Sequence, residues 1–394
     1  MTSAPEPTSL QPRSRPTLGG HLLTLDGVRG LAILMVLAHN LNVLSGRQTR
    51  AGQAVELLDD LGWVGVQLFF VLSGFLITGI LLDTRESDNY YRAFFARRVL
   101  RIFPLYYATL AVAFVVLPLV SSHHPPPDGQ VWLWTYTSNW AAPAGHDNPE
   151  FPHFWSLAVE EQFYLIWPFV VRALSPKRLL MLCIGLAVAS LWIRFGMRMA
   201  GSGPQPVYMW TICRMDALAL GAAVAVLLRM PRIAELLERR DRQIGWGALA
   251  LGLGGFFITR GDPRTTGLSQ TIGYSLLALT FAALVCAAVM FELGRRGIIY
   301  HVLAWRPLRA LGTYSYGMYV FHMPIHRAIG LPILRRWAEE DESIGAKWGI
   351  AYFLAVSAAT FVVAVASYHL FEQRFLGLKR YFVPSRTRAG ADAR

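Results

Sequence analysis

Ten separate runs of apolar residues, most of them close to twenty long, constrain this chain more than any other feature. They fall at roughly 24–44, 62–82, 99–119, 155–172, 177–197, 208–228, 243–259, 270–291, 310–330 and 347–370. A helix needs about 20 apolar residues to cross about 30 Å of hydrocarbon. A lone strand would leave its backbone groups unsatisfied in lipid, so helix is the expected state of each run. The runs at 155–172 and 243–259 are the shortest and define their spans least well. Only 16% of the 394 residues are charged, against about a quarter in soluble domains. The predicted fold class is therefore all-α: a polytopic membrane protein of about ten transmembrane helices, with the lipid bilayer as its first partner.

The formal net charge of +12 would suit a nucleic-acid binder if it were gathered on one patch. Instead the Lys and Arg residues stand in short clusters between apolar runs, which argues for membrane orientation and against nucleic acid. With the N-terminus inside, the cytoplasmic segments hold 25 Lys and Arg and the outside segments 10, Arg194 among the latter. That bias predicts that both termini are cytoplasmic, in a multi-pass protein of the cell (plasma or inner) membrane. Residues 1–20, rich in Pro, Ser and Thr, read as a disordered tail and not a signal peptide. Residues 21–376 form the transmembrane domain and 377–394 a basic cytoplasmic tail. Cys183, Cys213 and Cys286 each lie in or beside an apolar run and read as small buried hydrophobes without a disulfide framework. No long polar segment follows the last run, so an appended soluble catalytic domain is not expected.

An ionised side chain at the centre of a membrane helix costs about 2.5–3.5 kcal/mol, so such residues usually face a cavity or a partner. In "LDGVRGLAILMVLAHN", Arg29 and His39 are ten residues apart. On a helix that is about 15 Å of rise, so the two cannot touch but could hold two ends of one long ligand. Snorkelling of Arg29 and an interhelical hydrogen bond from His39 are the ordinary alternatives. In "RRVLRIFP", Arg98 and Arg101 share a helix face and could grip phosphate bidentately, or could simply anchor the cytoplasmic side. In "FWSLAVEEQFYLIWP", Glu160 shares a face with Ser156 and Tyr164, whereas Glu161 has Leu157 and Leu165 in the same relation. Glu160 is thus the preferred functional carboxylate, with an ion pair to Arg214 as its structural alternative.

Arg214 and Asp216 in "RMDALALG" are two apart and point in different directions. With His39, Glu160 and His322 they are expected to form a polar cluster near the outer leaflet. Ser73-Gly74 reads first as a close helix-packing pair, and a G-x-S-x-G nucleophile elbow is absent. The outside loop at about 120–154 has no Lys or Arg and is rich in aromatic residues, which suits an interfacial belt or a cover over an acceptor. His123, His124, His146 and His153 lack a metal-type spacing such as H-E-x-x-H, so no metal site is expected.

Taken in order, these segments, together with "GVQLFFVLSGFLITGILL", "LGTYSYGMYVFHMP" and the closing "ASYHLFEQRF", give a chain that resembles the acyltransferase family 3 membrane proteins over about residues 21–376. The resemblance implies transfer of an acyl group, often acetyl, from cytoplasmic acyl-CoA to a hydroxyl of a glycan, a lipid-linked sugar or a macrolide. No tightly bound cofactor is implied; acyl-CoA is a substrate. Arg29 and His39 match the family's first-helix Arg-to-His motif and Arg98 and Arg101 its Arg-x-x-Arg motif; Arg98 and Arg101, together with Arg29, are then expected to hold the phosphates of the donor. His39 would then be the general base on the acceptor hydroxyl, with Glu160 orienting it or stabilising its imidazolium. Direct transfer and an acyl-imidazole intermediate both stay open. Some members carry a C-terminal SGNH hydrolase-like domain, which this sequence is expected to lack, and that favours a small acceptor. A secondary transporter or flippase is the main rival, since it too would place charges at mid-depth. A non-enzymatic scaffold is the second.

Overall fold

A backbone in hydrocarbon has to satisfy its own hydrogen bonds, and this chain does so with helices. The computed structural model describes residues 20–41, 62–122, 125–259, 266–294, 297–334 and 346–385, and all regular structure among them is helical. The long helices are α1 (Leu23–Asn40), α2 (Val64–Asp83), α3 (Tyr90–Ala111), α4 (Trp155–Ala173), α5 (Pro176–Met199), α6 (Thr211–Leu227), α7 (Asp241–Thr259), α8 (Tyr274–Gly294), α9 (Arg306–Ile325) and α10 (Ala346–Ser367). Each apolar run of the sequence coincides with one of them in its described part. Of the N-terminal tail only Gly20 is described, and residues 386–394 lie outside the described residues, as do His123 and His124.

Among the described residues, six helical stretches are long and apolar enough to cross a membrane by length and hydropathy alone: Val64–Asp83, Tyr90–Val120, Pro176–Met199, Pro204–Leu227, Ser269–Gly294 and Gly349–Phe382. The protein is a polytopic helical membrane protein on this ground. The stretches that fall short include α1, α4 and α9, the helices that carry Arg29, His39, Glu160, Glu161 and His322. These charged and titratable residues dilute the hydropathy of the segments that hold them.

α2 lies at the centre. In its most apolar window 78% of residues are buried, against 22% for α5. On α5, Met181, Trp192 and Met199 are 71%, 65% and 74% exposed, as expected for side chains that meet lipid tails. Small residues set the closest crossings. A Cβ on Gly74 of α2 would strike the Leu218 carbonyl of α6, and one on Gly221 of α6 would strike the Val71 carbonyl of α2. Gly30 of α1 and Gly312 of α9 make the same reciprocal fit, against the Leu308 and Asp26 carbonyls. Without a hydrophobic force between helices in lipid, such backbone approach is a main source of packing energy.

α1 and α9 bring their N-termini, and α2 its C-terminus, to one end of the bundle, where Arg29, Arg97 and Arg101 gather; this is the basic end. The segment 125–154 lies at the opposite end. Its rings turn inward: Tyr136, Phe151 and Phe154 are buried, and Tyr106 of α3 stacks on Tyr136 at 4.1 Å and on Phe154 at 4.8 Å. Tyr106 also donates to the Leu133 carbonyl at 2.8 Å. Gln162 of α4 donates to the Tyr136 carbonyl at 2.9 Å and to Asn139 Oδ1 at 2.8 Å. The aromatic segment is thus a folded lid fixed to α3 and α4, with a share of its rings spent on its own packing. At the basic end, Asn89 Nδ2 donates to the Val383 carbonyl at 2.9 Å and the Ser385 amide to Asn89 Oδ1 at 3.0 Å. Residues 378–385 therefore lie docked on the start of α3.

Candidate functional site

A cavity of about 200 Å³ sits inside the bundle between α1, α2, α3, α4 and α9. Helical spacing explains which residues reach it. Ser156, Glu160 and Tyr164 stand one turn apart on α4 and all line it, as the sequence pattern predicts, and Glu161 lines it as well. Ser73 of α2 donates its hydroxyl hydrogen to Glu160 Oε1. Gly74 brings α2 close to α6, so the next residue, Ser73, is presented on the other side toward α4. Ser73-Gly74 is therefore both a packing pair and a source of one hydroxyl for the cavity.

Arg98 of α3 reaches into the same space, its guanidinium 4.1 Å from the centre of the Tyr164 ring. It is the cation whose charge acts on both Glu160 and Glu161. Buried atoms without a hydrogen-bond partner among the described residues include Arg98 Nε and Glu161 Oε1. These point to room for a polar ligand. Ser156 and Tyr319 share a hydrogen bond of 2.5 Å at another part of the wall, and Tyr319 donates to the His153 carbonyl at 2.8 Å.

A larger space of about 620 Å³ adjoins this cavity at the basic end. Arg29, Arg98 and Arg101 line both. Arg97 and Lys379 add two more cations to the larger one. The only described carboxylate on its wall is Asp26, which takes Arg29 Nη1 at 2.9 Å and His21 Nε2 at 2.8 Å. The result is a vestibule with a marked excess of positive charge that leads into a chamber lined by two carboxylates, six hydroxyl-bearing side chains and the three shared arginines. Lys379 was invisible to sequence reasoning, because nothing in its local pattern separates it from an ordinary basic tail.

The remaining sequence candidates fall in other places. His39 is half-buried at the end of α1 and does not line the chamber that Arg29 lines. A Cβ on Gly62 would meet its backbone N and Cβ, so His39 abuts the start of α2. The expected cluster of His39, Glu160, Arg214, Asp216 and His322 is divided among separate sites. Asp216 pairs with Arg194 at 2.8 Å. Arg194 had been placed among the outside residues; it is instead 0% exposed, donating to the Cys213 carbonyl and to Ser275 Oγ at 2.6 Å each. Its removal from the outside tally leaves the excess of inside charge intact. Arg214 is also 0% exposed and makes no ion pair with Glu160; aromatic rings surround it. His322 lies 2.7 Å from the Tyr319 carbonyl through Nδ1, and its ring centre is 4.6 Å from that of His153. The physical reason for the division is rotation: residues at similar depth on different helices need not point at the same space.

Comparison with known proteins fits this geometry. The acyltransferase-3 family model, described as an acyltransferase domain, matches residues 22–369. The chain is 29% identical over 385 residues to the peptidoglycan O-acetyltransferase OatA of Listeria monocytogenes, covering 91% of this chain and 57% of that protein. It is 27% identical over 332 residues to the O-acetyltransferase OatA of Staphylococcus aureus, covering 77% of this chain and 50% of that protein. The chain spans about half the length of these curated relatives. No solved structure matches it significantly.

Proposed function

The chain belongs to the acyltransferase-3 family, and on that footing we propose that it is a membrane O-acyltransferase. In this reading it moves an acyl group, in the simplest case acetyl, from a CoA thioester to a hydroxyl of a cell-surface glycan. The observation that carries the reading is the cationic vestibule opening into the carboxylate-bearing chamber through Arg29, Arg98 and Arg101. CoA is a polyanion on a long thin arm. Arginine forks suit its phosphates, and a narrow chamber suits its pantetheine arm. The Lys and Arg bias supports ten crossings with both termini and the vestibule on the cytoplasmic side of the cell membrane, where acyl-CoA is made.

The roles follow from depth. Arg29, Arg98, Arg101 and Lys379 hold the donor phosphates. The arm passes Glu160 and Glu161, and the thioester arrives near the end of α1. About 15 Å of helix separates Arg29 from His39, a length that an extended acyl-pantetheine arm covers. His39 takes the proton of the acceptor hydroxyl, and Glu160, fixed by Ser73, faces the path of the arm through the chamber. Among the acceptors that family resemblance allows, the names of the relatives favour a glycan over a macrolide.

The test is transfer of labelled acetyl from acetyl-CoA to a peptidoglycan fragment by purified protein in proteoliposomes. Wild-type protein is expected to consume the thioester and label the glycan, and His39→Ala to lose about 10²–10⁴-fold in kcat. Movement of the glycan across the vesicle with the thioester intact would instead identify a transporter.

A further inference from the structure

Arg214, in the first turn of α6, presents a guanidinium that the protein itself leaves unanswered. It is 0% exposed, and none of its three nitrogens has a hydrogen-bond partner among the described residues. A guanidinium carries five N–H donors and no acceptor. Its surroundings are aromatic: the ring centres of Tyr274, Tyr208, Phe70 and Trp155 lie 4.6, 5.3, 5.6 and 5.9 Å from its central carbon. Ring faces attract the cation, but they leave the planar N–H fork without oxygen acceptors. Asp216 is unavailable to it, being held by Arg194 at 2.8 Å, by Ser275 Oγ at 3.2 Å and by the Ala217 amide at 2.9 Å.

Two more orphaned polar atoms border the same rings. Trp63 Nε1 is buried without a partner, and its indole lies 5.1 Å from the Tyr274 ring and 6.2 Å from that of Tyr208. Gln67 Oε1, one turn along α2, is also unpartnered, while its Nε2 donates to the Tyr274 carbonyl at 3.2 Å. The cage also adjoins the proposed reaction path on two sides. Phe70 is a wall of the central chamber as well as a face of the cage. Gly62, the neighbour of Trp63, abuts His39.

We propose that Arg214 is a buried oxygen-binding site that receives the carbonyl oxygen of the acyl group during transfer. The inference rests on the acyl-transfer reading above. The acceptor oxygen bonds to the thioester carbonyl carbon, and its proton passes to His39. The carbonyl π pair moves onto oxygen, where the Arg214 N–H groups meet the charge. When the pair returns, the carbon–sulfur bond breaks, and the sulfur leaves with that bond's electrons and takes the proton from His39. A fixed donor in a cage closed to water is worth more than the same donor in solution. Phe70 stands between Arg214 and the chamber, facing both.

The experiment measures acetyl transfer and thermal unfolding, with and without sodium acetate, for wild-type protein, Arg214→Met and Arg214→Lys in proteoliposomes or detergent. Arg214→Met is expected to fold, to lose on the order of 10²–10³ in kcat with KM for acetyl-CoA unchanged, and to lose the rise in Tm that acetate gives the wild type. Arg214→Lys keeps the charge without the fork and is expected to fold with a smaller loss of kcat. Wild-type kcat in Arg214→Met overturns the proposal. Collapse of Arg214→Met together with full activity in Arg214→Lys also overturns it, by assigning Arg214 to the fold. If wild-type protein transfers nothing from acetyl-CoA, the donor reading fails on its own. In that case an acetate shift lost in Arg214→Met still supports the oxygen site, and its absence from the wild type overturns it.

Discussion

Arg194 on α5 and Arg214 on α6 are both 0% exposed, and the Arg194–Asp216 ion pair lies within a turn of Arg214 along α6. One has its charge paired and both terminal nitrogens bonded, with only Nε left without a partner among the described residues. Arg194 has Asp216 for its charge and the Cys213 carbonyl, the Thr271 carbonyl and Ser275 for its hydrogens. The other has rings and no acceptor. A buried charge is tolerated when it is paired, and its pairing ties helices together. Arg194 does this by joining α5, α6 and the residues around the start of α8. A buried charge left unpaired costs free energy in the resting protein, and that pattern suits a group whose partner is a substrate. Burial alone therefore does not separate structural cations from functional ones; the state of their donors does.

The comparison can be broken with one substitution made twice. Arg194→Met leaves Asp216 buried without its counter-ion and is expected to cost about 3–5 kcal/mol of stability. Arg214→Met removes an unpaired charge and is expected to leave Tm unchanged or to raise it. Thermal unfolding of both variants in detergent gives the answer. Equal losses at the two positions would erase the distinction.

Smaller effects sharpen the same contrast between cations held by protein and cations kept for a ligand. Lys379 is half-buried on the docked C-terminal segment and lines the vestibule with four arginines. Lys379→Gln is expected to raise KM for acetyl-CoA by up to about fivefold, the scale of a solvent-screened charge contact of about 1 kcal/mol. Unfolding should hardly change. A drop in Tm with KM constant would make Lys379 a fastener of the tail.

The helices were legible because each apolar run is its own evidence: nothing but helix satisfies twenty such residues in lipid. The meeting of Ser156, Glu160 and Tyr164 was legible too, since one-turn spacing on α4 fixes their common face. Glu161 was underrated because its helical neighbours, Leu157 and Leu165, say nothing about the helix across from it. Leu157 itself lines the chamber. Arg194 was misplaced because an arginine near the end of an apolar run looks the same whether it reaches water or turns back to Asp216. The cage around Arg214 draws on α2, α4, α8 and the turn before α6, and no local pattern encodes a contact made by four separated segments. Lys379 shows the same limit of local reading: its place in the vestibule follows from hydrogen bonds between Asn89 and residues 383–385.

The central claim is that the vestibule grips the phosphates of a CoA thioester whose acyl end reacts deeper in the bundle. Its most direct test is the ratio of kcat/KM for acetyl-CoA to that for an acetyl-pantetheine thioester lacking the nucleotide phosphates. This ratio is to be measured in wild-type protein and in the Arg98→Gln/Arg101→Gln double variant. Charge-assisted hydrogen bonds contribute about 1.5–3 kcal/mol each. The account predicts that wild-type protein strongly prefers acetyl-CoA, and that the double variant loses that preference by about tenfold or more while the truncated donor is used at a similar rate. A ratio that is the same in both proteins would contradict it.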